Sequence, residues 1–83
     1  MDAQADQEAQ LARERVTLAK AEQDLVEGER RISDLERKIA ESQAEGRDTM
    51  QAERLLGTFR ATLIEWQKHR QEILRTIDRL LRT

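Results

Sequence analysis

Residues 44–49 read AEGRDT, and they separate two long segments in a chain that contains no proline. Gly46 suits the left-handed residue that ends a helix, because that conformation penalises a Cβ. Asp48 suits the N-cap of a following helix, and Gln51, three residues on, completes a capping box. A connection this short allows only an antiparallel return of the chain. The sequence therefore predicts an all-α fold, a single helical hairpin over residues 1–83 that turns at residues 46–48.

The segment before the turn carries large aliphatic residues at a spacing of seven. They are Leu11, Leu18, Leu25, Ile32 and Ile39, here called the a positions. The accompanying d positions are small or polar with one exception: Glu14, Ala21, Gly28, Leu35 and Ser42. A sustained seven-residue repeat is typical of a coiled-coil seam. We predict a first helix over residues 11–45, and we expect residues 1–10, which lack large apolar groups, to fray.

The segment after the turn carries a stripe in the alternating four-and-three spacing of the same kind of seam. Its members are Ala52, Leu56, Phe59, Leu63, Trp66, Arg70, Ile73, Ile77 and Leu80, among which only Arg70 is charged. This stripe predicts a second helix over residues 49–82. If the turn centres near residue 47, Gly28 faces Trp66, so the smallest residue of one seam meets the largest of the other.

Composition and charge agree with a long helical hairpin. Ala, Leu, Glu, Arg and Gln dominate, and these are strong helix formers; charged residues make up 39% of the chain, and the aromatic residues are Phe59 and Trp66 alone. Residues 1–45 hold 12 acidic and 7 basic groups, whereas residues 46–83 hold 5 acidic and 8 basic groups. The two halves are thus complementary in net charge, which favours their pairing.

Several classes of protein are disfavoured by what the chain lacks. Without cysteine there is no disulfide framework, thiolate metal site or cysteine nucleophile. No apolar run approaches the roughly 20 residues of a membrane span, and the polar start is unlike a signal peptide. The chain also has no glycine-rich phosphate loop and no nucleophile beside a base. We therefore predict a cytoplasmic protein that is not an enzyme and takes no cofactor.

Two polar residues near the second seam, His69 and Arg70, could either serve a specific chemical role or simply contribute to packing. His69 with Glu65 forms an i, i+4 pair that could hold a metal, but zinc sites use three or four protein ligands, and we expect His69 to be a packing residue. Arg70 requires a partner if buried, and Asp24 is the predicted one. In one interpretation the methylene groups of Arg70 pack in the seam while its guanidinium pairs with a carboxylate. In the other, Arg70 determines the register of the helices or the choice of partner, as isolated polar seam residues can.

The second segment carries more apolar surface than one neighbouring helix covers. Adjacent pairs such as Leu63-Ile64 and Ile73-Leu74 point about 100° apart on a helix, which widens the stripe. The predicted interaction face comprises Leu55, Leu56, Phe59, Leu63, Trp66, Arg70, Ile73, Leu74, Ile77 and Leu81. The simplest closure is a homodimer in which two hairpins form a four-helix bundle with twofold symmetry. The alternative is that this face docks a different protein.

A nucleic-acid-associated factor is the main rival from another functional class. Its basis is the basic end of the second segment, with Lys68, Arg70, Arg75, Arg79 and Arg82. Phosphate binding needs an uncompensated basic face. The antiparallel return is expected to lay this segment beside Glu8, Glu14, Glu22 and Asp24. Nucleic-acid binding is therefore disfavoured, and so is binding to a membrane surface, because a partner helix competes for the same apolar face.

Three motifs resemble a group of small proteins common in rhizobia and related α-proteobacteria. Residues 25–32 read LVEGERRI, residues 46–49 read GRDT and residues 52–59 read AERLLGTF. They are similar to the EGERHI-type block, GHDT turn and ALLATFEETL block of that group. Two departures are that Arg47 replaces the usual histidine and that Trp66-Gln67 replaces a stretch expected to be less bulky in the group. The resemblance implies a bacterial, cytosolic, helical protein without established activity and carries over no functional residues. Together these patterns predict a helical interaction protein.

Overall fold

The computed structural model describes residues 2–82 and contains two helices, α1 (Ala3–Ala44) and α2 (Met50–Arg82). They pack side by side in opposite directions, and the Cα atoms span 67 × 16 × 15 Å. Residues 2–82 contain no β-strand. The predicted all-α helical hairpin is confirmed.

The first helix begins earlier than the sequence pattern suggested. Asp2 is its N-cap, and the Asp2 carboxylate accepts a hydrogen bond from the Gln4 N–H at 3.0 Å. Gln7 donates a side-chain hydrogen bond to the backbone carbonyl of Leu80. Of the segment 1–10 that was expected to fray, residues 3–10 are therefore helical, and residue 1 lies outside the described residues. The correction arises because the last turns of α2 lie alongside this segment, which apolar periodicity does not reveal.

The end of α1 is a Schellman motif centred on Gly46. Gly46 has a φ of 74°, and its N–H donates to the Gln43 carbonyl at 3.0 Å. The Arg47 N–H donates to the Ser42 carbonyl at 2.9 Å. These two bonds satisfy carbonyls that a helix end otherwise leaves without partners. The left-handed role predicted for Gly46 is confirmed.

The start of α2 is held by side chains from both sides of the turn. The Asp48 carboxylate accepts from the Met50 N–H at 3.0 Å. The predicted N-cap is one residue off, however, because α2 begins at Met50 and the Thr49 carbonyl accepts the first helical hydrogen bond, from the Glu53 N–H at 2.9 Å. The predicted capping box with Gln51 does not form within the described part of the chain. Instead the Gln43 amide of α1 donates to Thr49 Oγ1 at 3.3 Å and to Glu53 Oε1 at 3.0 Å.

The core is a narrow seam between the two helices. The buried apolar residues are Leu25, Ile39, Leu56, Ile73 and Ile77, all of them on the predicted stripes. None of the described side chains is completely enclosed, and even Ile73 retains 4% of its surface. Burying one such side chain contributes about 1.5–3 kcal/mol. A seam this narrow makes an isolated hairpin only marginally stable.

Candidate interaction surface

The ten residues of the predicted interaction face fall into three groups by exposure. Leu56, Ile73 and Ile77 are buried in the seam; Phe59, Leu63, Arg70 and Leu74 are half-buried; Leu55, Trp66 and Leu81 are exposed. The three buried residues pack against α1, so they are not accessible to a partner while the hairpin is intact. The surface available to a partner is therefore set by the exposed side chains and their neighbours.

The hairpin has two long sides that differ in character. The side here called the ion-pair side has a groove lined by Glu22, Val26, Ile64 and Arg70, and a second groove lined by Glu36 and Arg60. The other, here called the tryptophan side, has a cleft of about 250 Å³ lined by Gly28, Arg31, Thr58, Phe59, Thr62, Leu63 and Trp66. The two sides flank the same seam, but in the part of the chain that the structure describes only the first is crossed by ion pairs.

Among residues 2–82, two ion pairs join the helices, and both lie on the ion-pair side. Arg70 reaches Glu22 at 3.2 Å, and Arg60 reaches Glu36 at 2.8 Å. The predicted partner of Arg70 was Asp24, which is wrong, because Asp24 lies on the other flank of α1 and pairs with Lys20 at 3.4 Å. The Arg70 side chain is a third exposed, so it lies at the edge of the seam with its charged group in reach of water.

The remaining ion pairs are local, within one helix or within the turn. Arg30, for example, meets Glu27 at 2.7 Å, and Arg47 meets Glu45 at 3.0 Å. The hydrogen bond from Arg30, aided by its charge, holds the pKa of the Glu27 carboxyl below its usual value. The two halves have complementary net charges, but in the part of the hairpin that the structure describes only two ion pairs connect one helix to the other. The carboxylates of Glu8 and Glu14 pair with no basic group of α2 there.

Trp66 is the largest side chain on the tryptophan side, and Gly28 explains its placement. Because Gly28 has no side chain, the indole lies across the backbone of α1 and still leaves 39% of Trp66 exposed. About one helical turn nearer the Gly46 end, Thr62 lines the same cleft. The tryptophan side of α2 thus combines a large aromatic group with uncharged neighbours.

Sequence reasoning included Leu55 and Trp66 in the interaction face but missed the row of uncharged residues that connects them along this side. Leu55, Thr62, His69 and Thr76 recur at a spacing of seven, so they follow one flank of α2, and none of them is a formally charged residue at pH 7 with histidine neutral. The signal that would have found them is a second four-and-three pattern, running beside the first and sharing Phe59, Trp66, Ile73 and Leu80 with it.

The predicted weakness of any metal site on this surface concerns the ligands around His69. Nowhere in residues 2–82 do three or more His, Asp or Glu side chains gather where they could hold a metal ion. His69 lines a surface groove together with Ala21 and Asp24 of α1. Across residues 2–82, no helix combines the length and the apolar character that crossing a membrane requires.

No protein-family model, curated protein or solved structure matches this chain. The resemblance to the rhizobial proteins therefore stays a prediction from the three motifs.

Proposed function

We propose that this chain is a small, non-enzymatic helical interaction protein of the bacterial cytoplasm that associates with itself through an exposed face of the hairpin. The observation that carries the proposal is that both sides of the hairpin leave large apolar side chains exposed: Val26 and Ile64, which line one groove, at 68% and 51%, and Leu55 and Trp66 at 46% and 39%. Exposed apolar residues scattered singly are ordinary, but a contiguous patch on a small protein is typical of an interaction site.

The marginal core gives a second line of support. The hairpin buries a single seam, and a second hairpin packed on it adds the apolar contact that small helical proteins commonly obtain by oligomerisation. Twofold closure is the commonest way in which one kind of chain does this. We accordingly propose a homodimer, with four helices in contact, as the working assembly.

Sedimentation equilibrium of the purified protein tests this proposal. The expected result is a species of twice the 9.7 kDa chain mass at micromolar concentration. A well-folded monomer at every concentration up to the millimolar range would overturn self-association and leave docking of a different protein as the explanation for the exposed face.

A nucleic-acid-associated role is the second candidate, and one observation favours it. Arg75 and Arg79 make no ion pair with any described residue, whereas Lys68 and Arg82 pair with Glu65 and Asp78 in the same helix. Phosphate binding that neutralises several charges falls steeply with salt. Filter binding of DNA and RNA at low salt tests this role: retention that disappears at higher salt and in the Arg75→Gln/Arg79→Gln double variant supports it, and no retention excludes it.

A further inference from the structure

The sulfur of this chain is confined to thioethers. The sequence has two methionines and no cysteine. Met1 lies outside the described residues, and Met50 is the first residue of α2. A methionine usually fills an irregular gap in an apolar core, but Met50 leaves 56% of its surface exposed at the end of the hairpin that carries the turn. The Met50 thioether is therefore accessible to reagents in water.

The exposure of Met50 follows from its place on the helix. The seam side of the first turns of α2 is formed by Thr49, Ala52 and Leu56, of which Thr49 and Leu56 are buried. Met50 follows Thr49 by one residue, which is about 100° round a helix, so its side chain leaves the seam. A change that makes the Met50 side chain polar therefore removes no group from the core.

Arg54 lies one helical turn further along α2 and contacts the sulfur of Met50. The distance from Arg54 Nη2 to Met50 Sδ is 3.8 Å. A thioether is a weak acceptor, and within residues 2–82 Arg54 makes no ion pair. The nearby carboxylates have other donors, because Asp48 accepts from the Met50 N–H and Glu53 accepts from the Gln43 amide. The Arg54 guanidinium thus lies beside the sulfur and is able to donate to a better acceptor there.

We propose that Met50 is an oxidation site of the folded hairpin, with a peroxide as the oxidant, and that Arg54 holds the sulfoxide that forms. The sulfur lone pair attacks one oxygen of hydrogen peroxide, so the S–O bond forms as the O–O bond breaks. The departing hydroxide takes the proton from the transferred oxygen and leaves as water. The sulfur loses two electrons, and the peroxide gains them. The product is a polar, uncharged side chain.

The sulfoxide changes the interactions at the start of α2. Its oxygen, which carries a partial negative charge, accepts the hydrogen bond that Arg54 otherwise gives to sulfur, and hydrogen bonds with a charged donor are the stronger ones. The first turn of a helix also favours negative charge, because its unpaired N–H groups make that end partly positive. Oxidation of a core methionine disrupts packing, whereas oxidation of Met50 should stabilise the hairpin slightly.

Peptide mapping by mass spectrometry tests the site. The folded protein is treated with hydrogen peroxide, and the gain of one oxygen is assigned to the peptide of Met1 or to that of Met50. Because Met50 is 56% exposed and susceptibility follows exposure, its oxidation in the folded chain should be at most about twofold slower than in urea. A clearly larger slowing in the folded chain overturns the site.

Thermal unfolding of oxidised and untreated chains tests the role of Arg54. We expect oxidation to raise the melting temperature of the parent by about 1–4 °C, the range for one favourable i, i+4 pair in a chain of this size. Arg54→Ala should remove the rise. Arg75→Ala, which removes an exposed arginine elsewhere in α2, should keep it. Both positions are exposed, and alanine is the best helix former, so both variants fold.

The contribution of Met1 is measured separately by oxidising the Met50→Leu variant. All melts are compared at one chain concentration, because association shifts the melting temperature. An oxidised parent that fails to melt higher than the untreated one, or a rise that persists in Arg54→Ala, overturns the role of Arg54. These measurements apply to the monomer and to any assembly alike, so the inference stands or falls separately from the proposed self-association.

Discussion

Gly28 of α1 lies directly against the indole of Trp66 in α2: a Cβ at Gly28 would stand 3.3 Å from Trp66 Cζ3 and 3.2 Å from Leu63 Cδ1. Contacts this short require the neighbouring side chains to shift. The absence of a side chain at Gly28 therefore sets both the separation of the two helices at this level and the outward position of the tryptophan.

Substitution of Gly28 and Gly57 should separate helix propensity from packing. Alanine is better than glycine in a helix by about 0.8–1 kcal/mol, and a Cβ at Gly57 meets nothing within 4 Å. We expect Gly57→Ala to raise the free energy of unfolding by about that amount, and Gly28→Ala to gain clearly less. Gly28→Leu should lower it by about 1–3 kcal/mol because it overpacks the seam. Thermal and urea unfolding measure all three, and a stabilised Gly28→Leu would contradict the register.

Replacing Gly46 tests the turn by itself. A Cβ at Gly46 would meet no atom within 4 Å, so the only penalty for alanine is its left-handed backbone with φ of 74°. We expect Gly46→Ala to lower the free energy of unfolding by about 1–2 kcal/mol. Gly46→Asn should lose less, because asparagine tolerates this conformation. Equal losses for the two variants would mean that backbone conformation is not the cause.

Ile73 should be among the most sensitive apolar positions. It is 4% exposed, the lowest value among the buried apolar side chains, and truncation of such a residue to alanine commonly costs about 2–5 kcal/mol. We expect Ile73→Ala to leave much of the chain unfolded at room temperature by circular dichroism. Ile64→Ala is the matched control, because Ile64 is half exposed, and it should change the free energy of unfolding by less than about 0.5 kcal/mol.

The Arg70–Glu22 pair should contribute little to stability. Because both side chains are partly exposed, at 33% and 48%, their coupling energy in a double-mutant cycle is expected to be about 0.2–1 kcal/mol. Arg70→Leu places an apolar group on a seam position and should raise the free energy of unfolding. A loss of several kcal/mol, or a change in oligomeric state in sedimentation, would instead assign Arg70 a role in register or partner choice.

The sequence anticipated the parts of this structure that depend on local rules. The seven-residue spacing from Leu11 to Ile39 and the glycine before Asp48 were enough to predict two antiparallel helices, because helix periodicity and the left-handed preference of glycine act over a few residues. The facing of Gly28 and Trp66 followed from the shortness of the turn. Each of these features is confirmed by the structure.

The features that were missed depend on groups far apart in the chain. The start of α1 at Ala3 reflects contact with the last turns of α2. Arg70 pairs with Glu22 and not with Asp24 because its guanidinium lies on the flank of the seam that carries Glu22. The predicted interaction face likewise mixed seam residues such as Leu56 with exposed ones such as Leu55. Periodicity specifies which residues share a stripe, but the packed partner helix decides which of them are buried.

What the amino-acid order determined by itself is therefore the hairpin: two amphipathic helices, their turn and their approximate register. What only the tertiary structure decided is the difference between the two sides of that hairpin, one crossed by ion pairs and one with an exposed tryptophan. The physical reason is that helix formation and turning are encoded over a few neighbouring residues, whereas burial and charge pairing are properties of side chains brought together from opposite ends of the chain.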